Sequence, residues 1–272
     1  WYKDYIKTLL NHTNYYTGEK LMDSEAVFSW ELSNEPRCTV DEFCKDDILY
    51  NWAKEMSAYV KSIDPYHMVS VGDEGFYSLG YQEAARQDLP SSAYSGYYGV
   101  DFDKLMTIDT VDFGTPHMYV DQWGFDLGDD DLEWIKRHAQ TTSSADKPII
   151  FEEFGLTDKT KRDAAYSDWL DIVTGDYYEG VEYQGFNYWM IASYLDDGTL
   201  YQDYDGYTVY GPEGIEKTDS IRTLMMNGAA KMEKKNIVNT TDKSTYSFDR
   251  SKSGNVVVNV SMKEGSISGV EV

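Results

Sequence analysis

Positive charge is what this chain has little of. Its 272 residues carry 24 Lys and Arg against 48 Asp and Glu, a formal net charge of −24. Such a surface repels phosphate backbones and anionic headgroups, which excludes nucleic acid and membrane surfaces as expected partners. A neutral polymer stays compatible with it. No run approaches the roughly 18–20 consecutive apolar residues of a membrane span. Histidine and cysteine are scarce, four and two in all. No histidine pair stands at i, i+4 as a zincin helix requires. No Gly-x-Ser-x-Gly elbow marks an esterase nucleophile, and no glycine-rich phosphate loop follows any predicted strand. The chain is therefore expected to need neither metal nor cofactor. The acidic run Asp126–Glu133 is open to two readings, a Ca²⁺ site or the acid-rich start of a helix. Cys38 and Cys44 lie close together with no histidine nearby, a poor metal site. Either they form a local disulfide, which implies an oxidising compartment, or they are two free thiols. No signal peptide is visible, but the chain opens at Trp1 without an initiating Met, so that excludes nothing. Sequons at Asn11, Asn239 and Asn259 matter only in a eukaryotic secretory host.

What is present is an alternation of short apolar strands with amphipathic helices. Residues 1–17 read as a helix with Tyr2, Tyr5, Ile6, Leu9 and Leu10 on one stripe. Strands are predicted at 26–34, 68–71, 110–113, 148–154 and 183–191, and helices at 48–63, 130–139, 161–173 and 218–235. This order argues for a parallel sheet with right-handed crossovers. The strands are apolar on both sides and end in polar or small residues, which fits a (β/α)8 TIM barrel better than an open doubly wound sheet. Such a barrel needs eight strands, and five are found. The motif order makes the Asn34-Glu35 strand the fourth, so the chain is expected to lack the first three βα units. If those units are truly absent, the polypeptide is expected neither to close a barrel nor to be active. After Lys235 the texture changes to Ser, Thr and Asn with alternation at Asn255–Val260 and glycines at 254, 265 and 269. Residues 1–235 are thus assigned to the barrel and 236–272 to a β-rich extension, the start of a β-sandwich module.

Two motifs carry the chemistry. Trp30-Glu31-Leu32-Ser33-Asn34-Glu35-Pro36-Arg37 and Ile149-Ile150-Phe151-Glu152-Glu153-Phe154-Gly155 each end an apolar run with a carboxylate and a chain-breaking residue. That is how a barrel strand delivers an acid to its C-terminal rim. Pro36 is expected to hold Glu35 extended. Side chains alternate along a strand, so one of Glu152 and Glu153 faces the cleft, and alternation does not choose between them. Two rim carboxylates are the apparatus of a glycosidase, with retention or inversion decided by their separation. The general acid is expected to have a raised pKa, from burial and the neighbouring carboxylate. His117 and Tyr119 share a strand face. Tyr119 is placed to hold the nucleophile by its phenol. His117 is either a core histidine or one that orients a carboxyl or a sugar hydroxyl. Trp189 is either core or a stacking floor. The 24 Tyr and seven Trp exceed what a core usually needs. Most are expected in the core, and the exposed ones offer flat faces to the C–H faces of pyranose rings.

The segments Ser33-Asn34-Glu35-Pro36-Arg37-Cys38, Gly72-Asp73-Glu74-Gly75-Phe76, Asp112-Phe113-Gly114-Thr115-Pro116-His117-Met118-Tyr119 and Phe151-Glu152-Glu153-Phe154-Gly155 resemble successive strand ends of glycoside hydrolase family 5. Within it they resemble the fungal-type endo-β-1,4-mannanases, from about Trp1 to Lys235. The Asn-Glu-Pro and Glu-Phe-Gly pair marks the wider retaining clan. The Arg37-Cys38 extension, Gly-Asp-Glu-Gly-Phe and His-Met-Tyr with Trp123 downstream narrow it. The resemblance implies Glu35 as acid/base and Glu153, directly before the aromatic-glycine, as nucleophile. It further implies that Asn34 binds the 2-hydroxyl of the reacting sugar, that His117 and Tyr119 shape the cleavage subsite over a Trp189 floor, and that Arg37 and Trp123 contact sugars on the leaving-group side. By the same resemblance the protein is expected to be a secreted monomer that cleaves β-mannan, galactomannan or glucomannan. Two departures stand beside it: the family also uses residues of the first three strands, and its mannanases often carry more disulfides. An endo-β-1,4-glucanase of the same chemistry and a non-catalytic mannan-binding relic are the alternatives.

Overall fold

A computed structural model describes residues 1–39, 44, 47–175, 181–211, 219–236, 262–263 and 266–267. Helix α1 (Tyr2–Leu10) buries Ile6 and Leu10 and ends at Asn11, short of residue 17. The cause lies in Asn14, whose Oδ1 accepts from the N–H of Tyr16 at 2.9 Å and of Thr17 at 3.2 Å. This turn satisfies locally the donors a helix would use. Strand β1 (Ser29–Glu31) is followed by α2 (Ile48–Ile63) and β2 (Met68–Ser70), and β1 and β2 pair in parallel. Helix α2 matches its predicted bounds because its apolar face, with Leu49, Ala53, Met56 and Val60 buried, runs unbroken to Asp64. Three short helices follow, α3 (Tyr81–Arg86), α4 (Ser91–Tyr94) and α5 (Phe102–Leu105), in a segment where no element was predicted.

The chain then gives β3 (His117–Tyr119), α6 (Val120–Trp123), α7 (Asp130–Ser144), β4 (Ile150–Phe151), β5 (Glu153–Gly155) and α8 (Arg162–Val173). It continues with β6 (Gly185–Phe186), β7 (Ile191–Ala192), β8 (Val209–Tyr210) and α9 (Asp219–Asn236). β3 pairs in parallel with β5, β4 with β6 and β7 with β8. Further backbone bonds join these pairs. Asp112 N–H donates to Val69 C=O at 2.8 Å, His117 N–H to Glu74 C=O at 3.0 Å, Glu152 N–H to Pro116 C=O at 3.1 Å and Asn187 N–H to Phe151 C=O at 2.9 Å. The result is one parallel arc whose spatial order follows chain order, the winding of a (β/α) barrel. Among the described residues no ladder joins β1 to the other end of the arc.

The five predicted stations are found with different bounds, and β8 adds a sixth that was not predicted. Residues 110–113 do not form a ladder strand. The Asp112 carboxylate takes the Val69 N–H at 2.6 Å, Gly114 makes a single bridge to Ile149, and pairing begins at His117. The fourth station breaks at Glu152, and the fifth breaks between β6 and β7, where the Trp189–Met190 peptide is cis.

The core lies between the arc and its outer helices. Trp134, Trp169, Tyr77, Tyr94, Tyr166, Phe76 and Phe102 are its largest fully buried side chains, so much of the aromatic excess is packing. Tyr77 and Tyr94 stack at 5.3 Å, and Trp134 meets both edge-on, the geometry ring quadrupoles favour. The acidic run resolves as a helix start: Asp130, Asp131 and Glu133 fill the first turn of α7, where the dipole favours them. Buried Asp131 accepts from Gly128 N–H at 2.7 Å, Leu132 N–H at 2.9 Å and Trp169 Nε1–H at 2.6 Å, tying α7 to α8. Most of the proposed extension, residues 236–272, lies outside the described residues; within it β9 (Met262–Lys263) and β10 (Ser266–Ile267) pair antiparallel.

Candidate active site

The end of β1 stays beside β2 as far as Glu35, whose N–H donates to Gly72 C=O at 2.7 Å. Gly72 sits at φ +78°, and a Cβ there would lie 2.1 Å from Ser33 O, so this close approach requires glycine. Glu35 is not extended, as Pro36 led us to expect. It sits at φ 49°, in the left-handed region that a side chain rarely adopts. The surroundings enforce it: the Gly72 bond fixes its backbone, and its carboxylate reaches across to His117.

His117, fully buried, is the hub of the site. Its Nδ1–H donates to Glu35 Oε1 at 2.9 Å and lies 3.6 Å from Glu153 Oε2, and Nε2 lies 3.4 Å from Glu152 Oε2. Burial opposes an imidazolium, but Glu152, Glu35 and Glu153 outweigh it and push the group up to about 10. His117 is thus a cation at neutral pH. Glu35 responds in the opposite sense to the raised value predicted. Burial would raise its pKa, yet the bond and charge of His117, helped by Arg37, bring it below the ordinary value. One oxygen each of Glu35 and Glu153 and one His117 nitrogen all lie within 4.8 Å of one another. That is also the spacing of a metal site, and a metal there would have to displace the proton from the imidazole nitrogen.

Both glutamates of the Glu-Glu pair reach His117, because Glu152 falls between β4 and β5 and strict alternation fails there. They occupy different places. Glu153 lines the open cleft. Glu152 sits on the other side of the imidazole with Glu31, whose carboxyl is pushed up to about 8 by desolvation first and Glu152 second. Glu31 is on the exposed edge of the arc, where water weakens that push.

Tyr119, two residues from His117 on β3, donates its phenol to Glu153 Oε2. Burial and then Glu153 raise the phenol's pKa further, so it stays a donor. Gly155 has a packing reason: a Cβ there would meet Tyr207 Cδ1 at 2.5 Å and Tyr119 Cε1 at 3.1 Å. Arg37 donates Nε to buried Glu74, and its Nη2 lies 3.3 Å from Glu35 Oε2. Its guanidinium lies over Tyr98 at 4.7 Å and Phe76 at 5.4 Å. Beside Glu74, buried Asp73 is pushed up to about 7 by desolvation and Glu74's charge. Asp73 Oδ1 and Glu74 Oε2 have no partner among the described residues. Cys38 and Cys44 form a disulfide, Cα to Cα 5.4 Å, just after this motif.

The rim encloses a cleft of about 240 Å³ lined by Asn34, Glu35, Arg37, Tyr119, Gln122, Trp123, Glu153, Trp189, Asp205 and Tyr207. Every residue singled out from the sequence lines it except His117, which stands behind both carboxylates. Trp123 is nearly buried, whereas Trp189 is 41% exposed. Gln122, Asp205 and Tyr207 were missed. The run Asp203-Tyr204-Asp205-Gly206-Tyr207, an acid and aromatic cluster after Trp189, was the available signal.

Comparison with known proteins identifies the family. A family model described as GH family 5 beta-mannosidase-like matches residues 1–204. A mannan endo-1,4-beta-mannosidase 2 of Oryza sativa subsp. japonica is 34% identical over 225 residues, covering 78% of this chain and 49% of the relative. A probable mannan endo-1,4-beta-mannosidase A of Aspergillus clavatus is 36% identical over 214 residues, covering 77% of this chain and 51% of the relative. The chain thus spans about half the length of these two curated relatives. Among solved structures, the endo-beta-1,4-mannanase of Thermotoga petrophila superposes with a TM-score of 0.69 at 34% identity, covering 87% of this chain and 51% of that one. The endo-1,4-beta-mannanase of Rhizomucor miehei does so with a TM-score of 0.69 at 33% identity, covering 85% and 60%.

Proposed function

Because the chain belongs to glycoside hydrolase family 5, in its β-mannosidase-like group, we propose that the protein hydrolyses internal β-1,4-mannosidic linkages of mannan polysaccharides with retention. One observation carries the mechanism: the Glu35 and Glu153 oxygens lie within 4.8 Å of each other. A double displacement needs its carboxyls about 5 Å apart, whereas inversion needs about 6.5 Å or more to admit a water. Glu153 attacks the anomeric carbon while Glu35 protonates the departing oxygen, and Glu35 then takes a proton from the water that releases the sugar. Tyr119 holds the attacking carboxylate by its phenol. The His117 ring, its Nδ1 2.9 Å away, fixes the Glu35 carboxyl in place. Asn34 takes the 2-hydroxyl, Trp189 the apolar face of the ring, and Arg37 and Trp123 the leaving-group sugars.

The five predicted stations of the arc correspond to strands four to eight of an eight-stranded barrel in this reading. The chain-ordered parallel winding of the arc and the half-length coverage of the relatives support that. The β9–β10 pair supports a β-rich extension at 236–272. The Cys38–Cys44 disulfide supports an oxidising compartment and, with a polymeric substrate, secretion. The protein is proposed to act as a monomer. Galactomannan and glucomannan are included as substrates, since the cleft is open along its rim.

The test is reducing-sugar release by the purified full-length protein from unbranched mannan and barley β-glucan side by side. Faster release from mannan is expected. A preference for glucan refutes the mannan assignment and leaves the two-carboxylate mechanism. Glu153→Gln is expected to abolish turnover and keep binding; a binding relic would lose neither.

A further inference from the structure

One loop at the rim has no part in the chemistry above. Residues 203–208 lead into β8. Asp205 Oδ2 accepts from the indole Nε1–H of Trp189 at 2.7 Å, and its Oδ1 from Tyr207 N–H at 3.0 Å. The Tyr207 hydroxyl donates to Asp121 Oδ1 at 3.1 Å and accepts from Gln122 Nε2 at 2.8 Å. Its ring stands edge-on to Tyr119 at 5.1 Å. Behind the loop, buried Arg162 donates to three backbone carbonyls: Leu156 at 2.8 Å, Thr208 at 3.1 Å and Gly206 at 2.7 Å. Asp203 is paired with Lys159 and takes the Thr208 N–H at 3.0 Å. A buried guanidinium with a fixed fork of donors sets backbone shape over that whole span. The loop is therefore rigid where it presents Asp205.

Trp189 is in the opposite condition. With 41% of its surface exposed, packing alone does not fix the plane of the indole. Stacking a pyranose on it depends on that plane, because dispersion contacts fall away steeply with small gaps. A bond from Nε1 to a charged acceptor fixes both the tilt of the ring and which of its faces meets the cleft.

We propose that Asp205 is a positioning residue that orients the Trp189 indole as the platform for a β-linked pyranose, with residues 203–208 as its rigid mount. This rests on the reading of Trp189 as a sugar floor. The test is a double-mutant cycle of D205A, W189A and the pair, read as kcat/KM on β-1,4-mannopentaose. D205A is expected to lose about tenfold, the size of one hydrogen bond to a charged acceptor. The pair is expected to be no worse than W189A alone. D205N, which keeps one acceptor oxygen, recovers most of the loss and covers the case that D205A does not fold. Losses that multiply in the pair, or D205A within twofold of the parent, overturn the proposal. The same four proteins are titrated with β-1,4-mannotriose by calorimetry. A parent that binds without turnover refutes the mannanase reading and leaves the cycle to be read in binding constants. A parent that does not bind overturns both.

Discussion

Replacing His117 by Gln removes one charge from the centre of the site and keeps a donor in its place. An imidazolium held at about 10 against 6.5 when free corresponds, at 1.36 kcal/mol per unit, to about 5 kcal/mol of stabilisation. The sign follows from the direction of the shift. Because the folded value is raised, the stabilisation is present in full below pH 6.5 and is lost as pH rises through about 10. The side chain is fully buried, and the carboxylates of Glu35, Glu152 and Glu153 are 26%, 22% and 19% exposed, so solvent screening is partial. About 5 kcal/mol is a ceiling, since carboxylates stripped of their cation take up protons and relieve part of the strain. At pH 8, which lies above the free value, about 2 kcal/mol of that ceiling is already lost, and we expect about 1–2 kcal/mol of destabilisation. At pH 5 the stabilisation is present in full, and the cost rises to about 3–4 kcal/mol, within the range for breaking a buried ion pair. For a chain of this size 1 kcal/mol is about 2–4 °C in Tm. The assay is thermal unfolding by circular dichroism at both pH values, parent against His117→Gln. A drop in Tm of about 10 °C at pH 5, clearly larger than that at pH 8, is the expected result. Equal drops at the two pH values would show that His117 acts by packing alone and refute the charge argument.

Tyr119→Phe removes the donor on Glu153 and is expected to lower kcat on mannan by about a hundredfold, with Tm little changed. In Gly155→Ala the new Cβ meets Tyr207 Cδ1 at 2.5 Å, which is expected to cost about 1–3 kcal/mol in urea unfolding and to lower turnover as Tyr207 and Tyr119 shift; an unaltered unfolding midpoint would count against the packing account. Cys38→Ser with Cys44→Ser is expected to cost about 2 kcal/mol, the loop-closure value for so short a loop, and denatured unreduced protein should show no thiol.

The sequence revealed the site better than the elements that carry it. Glu35 was legible because a carboxylate before Pro36 ends an apolar run in a way that admits few other readings, and the Glu152-Glu153 pair was legible likewise, with the choice of Glu153 coming from the family resemblance. His117 and Tyr119 followed from spacing two on a strand face. The strands themselves have two or three paired residues each, too few for a period to define their ends, and Asp112 replaces a ladder bond with its own carboxylate. The left-handed Glu35 was hidden because a tertiary bond to Gly72 overrides the local preference that Pro36 imposes. The direction of its pKa was misread for a related reason. The neighbouring carboxylate was visible in the sequence, but the buried cation between the two was not. Asp205 and Tyr207 come from a loop that only folding brings to Trp189.

Double displacement asks two things of Glu35, to hold a proton in the first step and to take one in the second. The geometry around His117 supplies a reason for the change. In the free site Glu153 shares the imidazolium with Glu35, at 3.6 Å against 2.9 Å from Nδ1. Once Glu153 is esterified its charge is gone, and His117 faces Glu35 with one competitor fewer. Glu35 then loses a neighbouring negative charge as well. Both effects favour its ionised form, which is the form the second step needs as a base. Glu153→Gln imitates that charge state without the sugar. In this variant the Glu35 carboxyl is expected to titrate lower than in the parent, as followed by infrared difference spectroscopy of the carboxylate band with Glu35→Gln as the reference for its assignment. A Glu35 titration that stays in place or moves up would mean that Glu153 does not set the charge of its partner, and the acid-to-base change would need another source.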